Sequence, residues 1–227
     1  MRSTFGSSRL VRLIGDGVPV DDEAGAMDFA ERLSLWVNAF DAIGLQASLQ
    51  SIRGLDTAAD GKAAAARGLR TPDLADDFRK VRSVLAKAIA QDPLSGSGED
   101  AADGTDPGYA PYHRRHLELQ RQMEQMISAL RGHVRQAVSR LSPRLRQLAA
   151  LDATLEPLLA PREQALLPKA AALLKLRFEQ SNLSDDDHGN GAFARHWQEA
   201  LLAELDLRLE PVAGLIDALG TELKYRP

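Results

Sequence analysis

Between Leu119 and Leu141 the apolar residues return at steps of four and three: Leu119, Met123, Ile127 (or Met126), Leu130, Val134, Ala137 and Leu141. That spacing places them on one stripe of an α-helix, close to the heptad period at which helices wind on one another in a coiled coil. A half-buried strand would need alternation at every second residue instead. One helix cannot bury its own stripe, so the chain must supply helical partners for it. The composition agrees with this. Leu and Ala dominate, aromatic residues make up only 5% of the chain, and the β-branched residues that strands favour are sparse.

Candidate partners lie on both sides. Thr71-Pro72-Asp73 joins a capping hydroxyl, a proline at the first helical position and an acid near the positive dipole end. The helix it starts carries Leu74, Phe78, Val81, Leu85 and Ile89 on one stripe. Ser142-Pro143 repeats the signal and opens a helix over "RLRQLAALDATLEPLLA", which Pro157 and Pro161 end or kink. "REQALLPKAAALLKLRFEQ" follows, with Pro168 as a kink or a second start. After the acidic turn "SNLSDDDHGNG" comes a last long helix, which Pro211 divides from "VAGLIDALGTELKY".

Nearer the N-terminus, Ser7 and Ser8 cap a short helix over "RLVRLI". A second helix begins at Asp21 or Asp22, with Ala26, Phe29, Ala30, Leu33, Trp36, Val37 and Phe40 on its apolar face. Ile43, Leu45 and Leu49 either extend it or follow a bend at Gly44. The chain is therefore read as all-α: an antiparallel helical bundle over residues 109–227, with additional N-terminal helices. Residues 1–50 form an N-terminal helical segment, 51–70 a loop and 71–90 a helix. Residues 91–108 are almost entirely Gly, Ser, Asp, Ala and Pro, and form a disordered linker that buries too little to offset its ordering entropy.

Several function classes fall away. The absence of cysteine removes disulfides, thiolate catalysis and cysteine-ligated metals. In "MRSTFGSSRLVRLIGDG" no apolar run exceeds two residues, whereas a signal peptide needs a core of about 7–15. Nothing approaches the roughly 18 apolar residues of a membrane span. A cytoplasmic protein without membrane insertion is expected. No nucleophile elbow, phosphate-binding glycine loop or HExxH motif occurs, so no catalytic residue, cofactor or small-molecule substrate is assigned.

His113 and His116 share a helix face at a spacing that suits zinc. A site needs three or four ligands and the neighbouring acids complete none, so the expected place of the pair is a polar, exposed helix start and no metal is assigned. A calcium loop begun at Asp186 puts His188 third and Trp197 twelfth, both wrong for EF-hand ligation. Met123 and Met126 are read as core filler, and Trp197 as buried.

The remaining candidates are docking residues. Eight arginines between Arg114 and Arg146 face only Glu118 and Glu124. Arg114, Arg121, Arg131 and Arg135 are the candidate partner-binding residues of this region, and Trp36 is a candidate anchor if the N-terminal helices pack loosely. The favoured partner is another protein or a second copy of the chain. A nucleic-acid regulator using the arginine-rich helix 112–146 is the alternative, disfavoured by the slightly negative net charge of −4 and the lack of interleaved exposed aromatics.

"YAPYHRRHLELQRQMEQMISALRGHVRQAV" with "SPRLRQLAALDATLEPLLAPREQALLPKAAALLKLRFEQ", and "SSRLVRLIGDGVPVDDEAGAMDFAERLSLWVNAFDAIGLQASL" upstream, resemble a bacterial family known only as a domain of unknown function. The resemblance spans most of the chain apart from the two low-complexity stretches. It implies no established activity, cofactor or catalytic residue. It also implies a role as cytoplasmic accessory to an envelope assembly.

Overall fold

The structure, a computed structural model, describes residues 9–10, 39–55, 71–91, 108–183 and 189–224. Their elements are α1 (Ala39–Gly54), α2 (Thr71–Ile89), α3 (Ala110–Val138), α4 (Pro143–Leu183) and α5 (Gly189–Lys224), with no strand among the described residues. The fold is all-α, and within each of its units the helices pack on one another. No helix among the described residues is long and apolar enough to cross a membrane.

α3 begins after Gly108, whose φ of 61° lies in the left-handed region that a residue lacking Cβ enters without strain. Its stripe is buried as the spacing predicts from Leu119 through Met123, Ile127, Leu130 and Val134 to Ala137, while Leu141, expected to continue it, lies half-buried in the turn beyond the helix. At the ambiguous position Ile127 goes inside, while Met126 is half-buried. The turn after α3 is short. Arg140 N–H donates to Ala137 O at 3.3 Å and Leu141 N–H to Val138 O at 3.1 Å. Ser142 then caps α4, its Oγ accepting the N–H of Leu145 at 3.2 Å, with Pro143 as the first helical residue. A connection this short makes α3 and α4 antiparallel neighbours.

The chain divides into two compact units that cut across the helices. Unit 1 takes the described residues within 82–126 and 165–208, with residues 9–10; unit 2 takes those within 39–81, 127–164 and 209–224. In unit 1 the end of α2 packs on α5. Arg82 pairs with Asp206 at 2.9 Å, and Gln198 donates to Ala90 O at 3.3 Å, so the two helices run antiparallel. α3 runs parallel to α5: Tyr112 meets Trp197, and Gln120 meets Glu204 two turns further along both helices. Leu85, Ile89, Leu119, Met123, Leu174, Leu201 and Leu205 fill the space between. In unit 2 the core is Leu74, Ile127, Leu130, Val134, Val138, Leu145, Leu209, Val212, Leu215 and Leu219. α1 lies against α4 there, with Gln147 donating to Ile52 O at 3.3 Å.

Three features differ from the sequence reading. α1 passes through Gly44 without a bend and extends to Gly54, so residues 51–54 are helix where a loop was expected. α4 is one 41-residue helix through Pro157, Pro161 and Pro168, where two helices were expected. α5 likewise continues through Pro211. A proline inside a helix costs about 3 kcal/mol, and one buried leucine returns about 1.5–3 kcal/mol. Around Pro211, Leu209, Val212 and Leu215 are all buried, so tertiary packing outweighs the break. The predicted helices before residue 39, with Trp36, lie outside the described residues apart from helical residues 9–10, as does nearly all of the 91–108 linker.

Candidate functional site

α3 presents two chemically different faces in unit 1. Inward, its stripe extends about two turns above Leu119 through His116 and Tyr112. Sequence reasoning placed His116 on an exposed helix start. Instead it is 1% exposed, because residue 116 falls on the same row as 112, 119 and 123. His113, one position off that row, stays outside. The two histidines therefore do not form a pair on one open face, and among the described residues no group of three or more His, Asp or Glu could hold a metal.

Around Tyr112, one turn before His116, the chain gathers its scarce aromatics. Tyr112 meets Phe193 edge-on at 5.0 Å and Trp197 at 5.5 Å. Phe178 meets Phe193 at 5.0 Å, and Tyr109 meets Phe178 at 5.6 Å. Edge-to-face pairs at such distances add about 0.5–1.5 kcal/mol each beyond their buried area. Tyr109 donates to Ala171 O at 3.3 Å, and burial pushes its phenol up to about 12.

Below the aromatics lies a buried acid. Glu204, 3% exposed, accepts from Arg208 at 2.9 Å and from Gln120 at 3.2 and 3.3 Å. His116 has no such arrangement: neither ring nitrogen has a hydrogen-bond partner among the described residues, and neither does Trp197 Nε1. Desolvation pushes the His116 pKa below the ordinary histidine value. The Glu204 carboxylate opposes this, and His113 and Arg208 add to it.

The outward face of α3 is basic and apolar. Arg114 and Arg121, seven residues apart, are exposed on either side of Leu117, itself 39% exposed. Neither arginine makes an ion pair with a described residue. Arg115 turns inward, donating to Ala88 O at 3.0 Å and to Gln91 at 3.3 Å.

In unit 2 the other two candidate arginines are already occupied. Arg131 grips Asp152 through two hydrogen bonds, of 2.9 and 2.6 Å, and lies 3.5 Å from Glu156. Arg135 bonds Glu156, and its Nε stands 3.4 Å from Asp152 Oδ2 without hydrogen-bond alignment. Each arginine and each acid sits four residues from its like, so a two-by-two ion-pair lattice joins α3 to α4. Arg146 likewise donates to Ser139 O. Unit 2 also has an open groove of about 430 Å³ lined by Leu49, Ile52, Leu145, Leu148 and Leu151. No motif marks it, because its residues come from separate helices.

Residues 1–221 match the family model described as a protein of unknown function, DUF3348. The chain belongs to that family. The match spans both units and agrees with the resemblance carried by the quoted segments. Neither the curated proteins nor the solved structures yield a match. With no activity attached to the family, a functional reading rests on the side chains themselves.

Proposed function

We propose that the chain is a non-catalytic helical docking protein, and that the outer face of α3 in unit 1 binds an acidic amphipathic segment of a protein partner. The observation that carries this reading is the exposed row Arg114, Leu117, Arg121. Two guanidinium groups without acidic partners among the described residues flank an apolar side chain at helical spacing. A helix with carboxylates one heptad apart and a leucine between them matches it in both charge and shape. The aromatic interior behind α3 supports the reading, since a rigid backing limits the entropy lost when a partner docks.

A fluorescent helical peptide with glutamates at positions i and i+7 around a central leucine tests this, alongside a labelled DNA duplex and light scattering of the protein alone. The peptide is expected to bind, at least tenfold more weakly to the Arg114→Glu/Arg121→Glu variant, with unchanged helix content. Salt-sensitive binding to the duplex that is lost in the same variant would replace the protein partner by nucleic acid. Self-association broken by the variant would make the surface a contact between copies, and absence of peptide binding would also defeat the proposal.

A further inference from the structure

His116 is the described side chain whose chemistry and surroundings agree least. It is an ionisable ring, 1% exposed, with two unpartnered nitrogens, between Tyr112 one turn before and Gln120 one turn after. Buried polar atoms are nearly always satisfied, and an exception in a packed interior calls for a reason. The carboxylate closest in effect, Glu204, already accepts from Arg208 and Gln120. The hydroxyl-bearing ring of Tyr112 is committed to edge contacts with Phe193 and Trp197.

We propose that His116 is an acid-sensitive latch: neutral, it lets α3 seat against α5 in unit 1, and on gaining a proton it loosens that seam. A charged imidazolium would lose its hydration without acquiring a partner of its own. It would have to compete with Arg208 for Glu204. The groups acting on the ring are Glu204 and Arg208 from α5 and His113 from α3. α2 and α4 contribute buried apolar residues to this unit, Leu85, Ile89, Leu174 and Phe178; Lys87, Lys175 and Glu179 stay exposed, and the half-buried Arg177 of α4 bonds His196 of α5. Of these, Glu204 alone favours the proton, and its carboxylate already accepts from Arg208 and Gln120.

The direction follows from proton linkage. The closed form holds His116 neutral to lower pH than the open form does, so the open form takes the proton first. Opening therefore rises as pH falls below about 6.5, the ordinary histidine value. With one proton coupled, the opening constant rises by up to tenfold per pH unit.

The two tryptophans allow a local readout. In a Trp36→Phe background, fluorescence of the buried Trp197 follows unit 1 during urea unfolding at pH 7.5, 6.5 and 5.5. The opening constant is expected to rise on acidification, approaching tenfold per unit at the acid end. In His116→Phe it should be clearly shallower over that range, while His133→Gln, an exposed histidine of unit 2, should behave like the parent. The same pH dependence in His116→Phe would overturn the proposal. Should that variant fail to fold, the ring resonances of His116 in the parent protein decide. Titration at or above pH 6.5 refutes the latch, and titration below it, accompanied by loss of α3 amide protection, supports it.

Discussion

Removing the Arg131 side chain separates a structural role from a binding role. Arg131→Ala deletes two charged hydrogen bonds to Asp152 and the approach to Glu156, and leaves Asp152, among the described residues, facing only the misaligned Nε of Arg135. An exposed ion pair contributes about 0–1 kcal/mol, and breaking a fully buried one costs about 3–5 kcal/mol. Here the two side chains are 16% and 13% exposed, so the pair lies between these limits. Charged hydrogen bonds contribute about 1.5–3 kcal/mol, and a loss of about 2 kcal/mol is expected. With a urea slope of about 2 kcal/mol/M, the midpoint followed by far-UV circular dichroism falls by roughly 1 M. A double-mutant cycle with Asp152→Ala should return coupling above about 1 kcal/mol. Arg131→Met combined with Asp152→Leu should recover most of the loss, since no buried charge is then left alone. A shift under about 0.5 kcal/mol with zero coupling would refute the lattice as a stabilising device and return Arg131 to the docking candidates.

Other expectations are as direct. Leu201→Ala, at a fully buried position of unit 1, should cost about 2–5 kcal/mol by leaving a cavity, read as a lower urea midpoint for Trp197 fluorescence. Ser142→Ala removes the cap on Leu145 N–H and should cost about 1 kcal/mol, a thermal shift of roughly 2–4 °C for a chain of this size. Tyr109 should resist ionisation until about pH 12. The open form, with an ordinary phenol near pH 10, releases its proton first, so stability should fall as pH rises from 10 to 12. Tyr109→Phe should remove that part of the alkaline loss, measured by ultraviolet titration alongside unfolding.

Much of the fold was legible from local pattern. The α3 stripe, the Thr71 and Ser142 helix starts and the burial of Trp197 depend on residues within a turn or two of each other, where a 3.6-residue period and capping chemistry suffice. The prolines of α4 and α5 were misread for the same reason. A local rule counts the lost hydrogen bond, but not the leucines that a distant helix covers. His116 was misplaced because polarity suggested the surface, although its spacing from Leu119 and Met123 already put it on the buried row. The split among the arginines was not legible at all. Arg114, Arg121, Arg131 and Arg135 look alike in sequence, and only the approach of α4 gives the last two Asp152 and Glu156.

By itself the sequence determined that these segments are helices, because helical period, caps and the scarcity of strand-forming residues are properties of neighbouring residues. Only the tertiary structure decided which arginines pair with acids, which histidine is buried and which prolines are tolerated. Each of those outcomes depends on the side chains that a remote part of the chain brings within a few ångströms, where desolvation and pairing outweigh local preference.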